Sequence, residues 1–182
     1  MKFETQALHA GHIIDQQTLS RAIPIHRTSS YVFRDTEHAA NLFALKELGN
    51  IYTRIGNPTQ DILEQRVAAL EGGGAALALS SGTSAIFYTI INICKQGDEV
   101  VAANNLYGGT FSQFNSILPQ LGITVRLVDS TDPASFEAAV NEKTRAIYCE
   151  TLGNPALNMV DLEGVAAVAQ KHHLPLVVDS TF

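Results

Sequence analysis

The feature that most constrains the fold is a regular alternation of apolar and amphipathic segments after residue 58. Short runs rich in valine, isoleucine and alanine predict buried strands, and apolar residues repeated at i, i+4 and i+7 predict helices. We predict strands at 75–79, 99–103, 125–128, 146–150 and 176–179, and helices at 59–71, 82–94, 110–121, 134–140 and 162–172. This alternation implies an α/β fold with a mostly parallel sheet and helices on both faces.

The N-terminal third of the chain lacks this regularity. A helix is predicted only near residues 37–48, and polar segments such as 26–30 interrupt the remainder. We therefore expect two parts: an N-terminal arm and subunit-contact segment over residues 1–58, and the first part of an α/β domain over residues 59–182.

Composition excludes several classes of function. The 182 residues are 46% hydrophobic and carry a net charge of -6, with the cations scattered along the chain. A phosphate-backbone partner would require clustered lysine and arginine, and a membrane span would require about 20 consecutive apolar residues. The N-terminus also lacks the apolar core of a signal peptide. We expect a globular cytoplasmic protein that binds neither nucleic acid nor membrane.

Small residues link the predicted strand 75–79 to the next helix, in the order Ser80-Ser81-Gly82-Thr83-Ser84. The first N–H groups of such a helix are unpaired and favour an anion, and Gly82 would let a phosphate approach the backbone. The same residues also suit a plain helix N-cap, and this segment alone does not decide between the two. Nucleotide-binding glycine motifs and a complete nucleophile elbow are absent.

Four other residues have both a functional and a structural interpretation. Tyr107 could stack on a flat ligand or simply occupy a turn. Asp179 ends an apolar strand and is either a capping aspartate or a buried carboxylate that needs a cation. Arg54 could bind phosphate, and Asn154 could reach a phenolic oxygen of a ligand, although a surface arginine and an Asn-Pro turn are common.

Histidines and cysteines give no sign of a metal site. The six histidines do not show metal-ligand spacing, and Cys94 and Cys149 lie in apolar segments typical of buried packing thiols. We therefore predict no metal.

Taken together, these motifs resemble the cysteine/methionine-metabolism family of pyridoxal phosphate enzymes over nearly the whole chain. The resemblance is carried by 52–54, 56–59, 70–73, 81–83, 106–110, 150–155 and 177–181. Within the family, segments 20–25, 29–33, 42–45 and 150–158 look most like O-acetylhomoserine sulfhydrylases. The resemblance implies the aspartate-aminotransferase-like large domain of fold type I, here incomplete.

The resemblance also implies a pyridoxal 5'-phosphate site. The residues it assigns to the cofactor are Tyr52, Arg54, Ser81, Gly82, Thr83, Tyr107, Asn154, Asp179 and Thr181. Gly82 and Thr83 would bind the phosphate through backbone N–H groups, and Tyr52 and Arg54 would reach it from a neighbouring subunit. Tyr107 would stack on the pyridine ring and Asn154 would bond its phenolic oxygen. Asp179 would pair with the ring nitrogen, and Tyr107 and Asp179 are the candidate catalytic residues.

The sequence departs from the family pattern in three ways. Thr83 stands where the family usually has methionine or glutamine, and Ser180 where it often has asparagine. The Schiff-base lysine and the arginine that binds the substrate carboxylate match no residue of this chain, including its five lysines. We therefore expect an N-terminal portion of a longer enzyme that has no activity alone.

For the complete enzyme the resemblance implies γ-replacement in methionine biosynthesis. O-acetylhomoserine and a sulfur donor (sulfide, methanethiol or a protein thiocarboxylate) would give homocysteine and acetate. The enzyme would be a homo-oligomer, such as a homotetramer, with each site shared across a dimer. The alternatives are a cystathionine γ-synthase or γ-lyase of the same family, and a non-catalytic fold remnant that acts as an interaction module.

Overall fold

The computed structural model describes all residues from Met1 to Phe182 and divides them into two compact units, residues 1–78 and 79–182. The first unit contains helices α1 (Phe3–His9), α2 (Thr36–Phe43) and α3 (Pro58–Glu71). The domain boundary expected at residue 58 stays a prediction.

Helix α3 begins and ends where its sequence signals predict. The Asn57 side chain caps it by accepting a hydrogen bond from the Thr59 N–H (2.9 Å), and Pro58 fills the first turn, where no N–H partner is needed. At the other end Gly72 adopts φ 64°, a left-handed conformation that glycine accepts without steric cost. These caps confirm the predicted helix.

The rest of the first unit differs from the expectation in two places. Helix α2 stops at Phe43, short of the predicted residue 48, because the chain turns through a left-handed conformation at Leu45 (φ 56°). Helix α1 was not predicted. It lies beside α3, where the Arg66 Nε donates to the Ala10 carbonyl (2.9 Å).

Residues 75–79 were predicted as a strand, and this prediction is wrong for the described chain, since they pair with no other strand. Side chains of α3 take the place of a neighbouring strand. The Glu64 carboxylate accepts from the Ala78 N–H (2.8 Å), and the Gln60 amide donates to the Ala78 carbonyl (3.3 Å). Apolar composition alone therefore does not make a strand without a partner.

The second unit confirms the predicted α/β fold. Its elements are α4 (Gly82–Ile93), β1 (Glu99–Ala103), α5 (Gly108–Ser112), β2 (Thr124–Val128), α6 (Pro133–Ala139), β3 (Thr144–Glu150), α7 (Leu162–Lys171) and β4 (Leu176–Asp179). The strands form one sheet in the order β2-β1-β3-β4, and every pair is parallel.

The core of the second unit lies around the two central strands. All five residues of β1 are buried, as expected for a strand covered on both faces. On β3 the Tyr148 ring packs edge-on against Phe114, with 4.9 Å between ring centroids.

The predicted helix 110–121 is α5 followed by a wide turn over Gln113–Ile117 and a tight turn over Leu118–Leu121. No helix in the structure has the length and apolar character needed to cross a bilayer.

Candidate active site

A cavity of about 420 Å³ opens at the carboxyl ends of β1, β3 and β4. Parallel α/β sheets bind their ligands at this edge, and the volume is typical of a small-molecule site. The cavity is lined by Gly82, Thr83, Ile86, Tyr107, Glu150, Leu152, Asn154, Asp179, Thr181 and Phe182. The structure thus brings together six of the residues assigned from the sequence: Gly82, Thr83, Tyr107, Asn154, Asp179 and Thr181.

The start of helix α4 forms one wall of the cavity. The Ser81 hydroxyl does not line the cavity, but it caps the helix by accepting from the Ser84 N–H (3.1 Å). The N–H groups of Gly82 and Thr83 have no acceptor within the chain. A Cβ added at Gly82 would meet no atom within 4 Å, so the backbone here is open to an anion.

Gln113 holds the start of helix α4 in position. This side chain is buried, and its amide donates to the Thr83 carbonyl (2.9 Å). Gln113 was not among the residues predicted from the sequence. Its part in the site depends on the wide turn that replaces regular helix at Gln113–Ile117, which helical periodicity does not reveal.

Tyr107 forms a second wall and is about half exposed. Its ring lies directly over the backbone of Gly109. A Cβ added at Gly109 would stand 2.6 Å from the Tyr107 Cε1, closer than real contacts allow, whereas one at Gly108 would meet nothing within 4 Å. Gly109 is therefore the glycine that the Tyr107 ring requires.

Two carboxylates stand side by side at the strand ends. Glu150 and Asp179 are register partners in the parallel β3–β4 pair, so their side chains project from the same face of the sheet. The Asp179 Oδ1 accepts from the Thr181 N–H (3.0 Å) and hydroxyl (2.6 Å). The second oxygen, Oδ2, has no partner in the chain and can accept from a protonated ligand nitrogen.

Glu150 is the more deeply buried carboxylate of the pair, with 5% of its surface exposed. Burial, together with the neighbouring Asp179 charge, raises the pKa of the Glu150 carboxyl above its usual value, against the effect of one backbone hydrogen bond. That bond comes from the Tyr107 N–H (2.9 Å). Glu150 was not among the site residues predicted from the sequence, although it ends a buried strand in the same way as Asp179.

Asn154 lies in the loop after β3, and its side-chain amide makes no hydrogen bond within the chain. The loop is held by the Asn105 amide, which donates to the Asn158 side chain, and by the Asn158 amide, which donates to the Ser130 hydroxyl (2.7 Å). Gly153 packs directly against the Asn105–Asn158 pair, where a Cβ would not fit. The free Asn154 amide is therefore presented to the cavity on a fixed loop.

Tyr52 and Arg54 belong to the first unit and form a local pair. The Arg54 Cζ lies 4.9 Å from the centroid of the Tyr52 ring, a cation–π distance. Their segment is held against residues 28–31 by backbone bonds such as Thr53 N–H to Ser29 carbonyl (2.9 Å). Their assignment to a cofactor phosphate of a neighbouring subunit stays a prediction.

The second-unit residues suit pyridoxal phosphate chemically. Unpaired helix N–H groups suit a phosphate, a tyrosine ring on one wall suits a flat ring, and a free carboxylate oxygen suits a protonated ring nitrogen. No group of three or more histidine, cysteine, aspartate or glutamate side chains is placed to hold a metal ion.

Comparison with known proteins gives the family. The model of the Cys/Met metabolism PLP-dependent enzymes matches residues 4–182. The chain belongs to this family. It is 55% identical to the O-acetyl-L-homoserine sulfhydrylase of Leptospira meyeri over 99% of this chain and 41% of that protein.

Solved structures of the family have the same fold. A crystal structure from Campylobacter jejuni, described as an O-acetylhomoserine (thiol)-lyase with N'-pyridoxyl-lysine-5'-monophosphate, superposes with a TM-score of 0.95 at 39% identity. A cystathionine gamma-lyase from Lactobacillus plantarum, complexed with L-serine, gives 0.89 at 37% identity. Both alignments include 100% of this chain and 45% of the solved chain. The chain thus spans less than half the length of these family members.

Proposed function

We propose that this chain supplies the pyridoxal phosphate-binding part of an O-acetylhomoserine sulfhydrylase. The reaction would convert O-acetylhomoserine and hydrogen sulfide to homocysteine and acetate: the Cγ–O bond breaks, a Cγ–S bond forms, and a sulfide proton leaves with the acetate. The observation that carries the proposal is that the unpaired N–H groups of Gly82 and Thr83 and the free oxygen of Asp179 line one cavity. The similarity to O-acetyl-L-homoserine sulfhydrylase supports the substrate class.

Each residue has a defined task in this proposal. The cofactor, when bound, supplies an electron sink for negative charge developing on the substrate. Gly82 and Thr83 bind its phosphate, and Tyr107 covers one face of its ring. Asp179 keeps a proton on the ring nitrogen, because a carboxylate in a partly buried site stabilises the adjacent positive charge. Asn154 orients the phenolic oxygen.

The proposal also includes groups outside these residues. A lysine and a substrate-binding arginine would come from the remaining length seen in the relatives, so residues 1–182 alone would give no turnover. Tyr52 and Arg54 would complete the phosphate site of a second subunit in a homo-oligomer.

The cofactor site can be tested on the 182-residue chain with pyridoxamine phosphate. This probe carries an amine in place of the aldehyde and so does not react with surface lysines. We expect Asp179→Asn to weaken its binding tenfold or more, about 1.4 kcal/mol, because the charge partner of the ring nitrogen is lost. Equilibrium dialysis measures the affinity.

Asp129→Asn is the matched control. Asp129 makes the same local turn as Asp179, accepting from the Thr131 N–H (2.9 Å) and hydroxyl (2.8 Å), but it does not line the cavity. Equal affinities for the parent, Asp179→Asn and Asp129→Asn chains would contradict the proposed site.

The reaction is tested on the natural polypeptide that contains these residues, purified with its cofactor. We expect homocysteine when O-acetylhomoserine is supplied with sulfide. The second candidate, a cystathionine γ-synthase or γ-lyase, is supported by the similarity to the Lactobacillus plantarum structure. Cystathionine formation with cysteine, without homocysteine from sulfide, would favour a γ-synthase, and cleavage of cystathionine would favour a γ-lyase. No turnover in any of these assays would favour a non-catalytic remnant.

A further inference from the structure

We propose that Glu150 is a positioning residue, which holds Tyr107 over the cavity by accepting the hydrogen bond of its backbone N–H. The proposal builds on the cofactor site proposed above and gives the stacking tyrosine its support.

The geometry of the loop after β1 is the first support for this inference. Tyr107 immediately precedes helix α5 and has no side-chain cap of its own. Its carbonyl accepts from the Phe111 N–H (2.9 Å), while its own N–H points away from the helix to the Glu150 Oε1 (2.9 Å). The bond joins residues separated by 43 positions in sequence. It therefore fixes the loop to the end of strand β3.

The second support is the place of Glu150 in the sheet. Strand β3 is paired with β4, and the Thr151 N–H donates to the Asp179 carbonyl (3.0 Å) at the end of that pair. Tyr107 and Asp179 are thereby linked through two hydrogen bonds that meet at the covalent backbone of Glu150 and Thr151. The ring wall and the carboxylate for the ring nitrogen are held in a fixed relation, which preorganises a site for a flat cationic ring.

The third support is the burial of the Glu150 side chain. Only 5% of the Glu150 residue is exposed, so water competes little for the oxygen that accepts from the Tyr107 N–H. Hydrogen bonds to carboxylates are stronger than those between neutral groups, and losing the partner of a largely buried group costs free energy. The Tyr107 N–H is the only hydrogen-bond donor that the Glu150 side chain has in the chain.

The test uses the 182-residue chain and two substitutions. Glu150→Gln keeps an acceptor oxygen, and Glu150→Leu removes it at similar volume. The first readout is the amide hydrogen-exchange rate of Tyr107 by NMR without any ligand. We expect exchange at least tenfold faster in Glu150→Leu and a rate near that of the parent in Glu150→Gln.

The second readout is the affinity for pyridoxamine phosphate. We expect about a tenfold loss in Glu150→Leu and less than a threefold loss in Glu150→Gln. In a Tyr107→Ala background Glu150→Leu should cause little further loss, because there is no ring left to position. A purely structural role would give the same loss in both backgrounds.

Several results would overturn the proposal. These are parent-like amide exchange at Tyr107 in Glu150→Leu, equal losses in the glutamine and leucine variants, and additive losses with Tyr107→Ala. Circular dichroism establishes the fold of each variant, and Glu150→Ala serves if the leucine variant does not fold. If the parent chain does not bind the probe, the cofactor proposal fails, while the exchange arm still decides whether Glu150 holds Tyr107.

Discussion

At the scale of single residues, the cavity depends on two glycines that lack side chains and on polar groups that lack partners. Gly82 leaves the start of α4 uncovered, and Gly109 leaves room for the Tyr107 ring. The polar groups that face the cavity, such as the Asp179 Oδ2 and the Asn154 amide, have no partner within the chain. Such free groups are what a ligand must satisfy.

Gly109→Ala should displace the Tyr107 ring, since its Cβ would stand 2.6 Å from the ring edge. Overpacking of this kind commonly costs about 1–3 kcal/mol. Because the ring can swing away, we expect the cost to fall on affinity for pyridoxamine phosphate, as a loss of about fivefold or more in equilibrium dialysis. Gly108→Ala, whose Cβ meets open space, is the control. Equal affinities for the two variants would show that the ring does not depend on Gly109.

The residues of the site could be predicted where the sequence marks them and not where three-dimensional pairing defines them. Asp179 was noticed because a carboxylate after three apolar residues stands out, and the resemblance to the family then assigned it to the cofactor. Glu150 follows Ala146 to Cys149 in the same way, yet it received no role because its partner, the Tyr107 N–H, lies 43 residues away. Register between β3 and β4, which a single sequence does not give, is what places the two carboxylates together.

At the scale of elements, the two ends of the sheet differ in role: one carries the cavity, and the other carries hydrogen bonds that join the strands. The carboxyl ends of β1, β3 and β4 carry the cavity. At the opposite end Glu99, the first residue of β1, receives hydrogen bonds from Arg126 on β2 and from Asn141 (2.7 Å) just before β3. This cluster ties the beginnings of three strands together.

Acid should weaken the hydrogen bonds of Glu99 to Arg126 and Asn141 in a defined pH window. The hydrogen bonds from Arg126 and then Asn141 lower the pKa of Glu99 to about 2. A lowered folded-state pKa means that the stabilisation is complete above about pH 4.5 and is lost as the pH falls towards 2. Near pH 3 the parent should take up about one more proton on unfolding than Glu99→Gln.

Urea unfolding at a series of pH values measures this difference as the slope of the unfolding free energy against pH. Glu142→Gln is the control, because the Glu142 carboxylate is exposed and makes no hydrogen bond. Equal slopes for the parent and Glu99→Gln would contradict the prediction that the hydrogen bonds of ionised Glu99 stabilise the folded chain.

Helix caps offer a second comparison between elements. Ser81 caps α4 at the cavity, and Asp161 caps α7 by accepting from the Gly164 N–H (3.0 Å). Removing either cap by alanine substitution should cost about 1 kcal/mol of stability in thermal unfolding. Only Ser81→Ala should also weaken pyridoxamine phosphate binding, by a few-fold, because it loosens the anion site. The same affinity change in Asp161→Ala would mean that the effect reports stability alone.

Most elements could be predicted from periodicity and caps, and the exceptions have a physical cause. Strands β1 and β4 have the predicted bounds, and α3 begins and ends at the predicted signals. Residues 75–79 have a strand-like composition, but their hydrogen bonds go to side chains of α3. Helix α1 was missed because its stability depends on α3 rather than on its own short sequence.

At the scale of the whole molecule, the cavity is built by the second unit alone, while Tyr52 and Arg54 lie in the first. If these two residues complete the phosphate site of a neighbouring subunit, their effect must depend on self-association. We expect Arg54→Ala to lower the affinity for pyridoxamine phosphate only at concentrations where light scattering shows oligomers. Arg27→Ala, another exposed arginine of the first unit, is the control. A loss that is equal in monomer and oligomer would contradict a shared site.

The lining of the cavity comes from segments far apart along the chain, from Gly82 at the start of α4 to Thr181 after β4. A small molecule that binds all of these segments would act as a non-covalent crosslink between loops that lie far apart in the sequence. Occupancy should therefore protect these loops together from proteolytic cleavage, while the connections at the opposite end of the strands, near Glu99, stay as susceptible as before. A pattern of digestion fragments would then report the filled site without any measurement of chemistry.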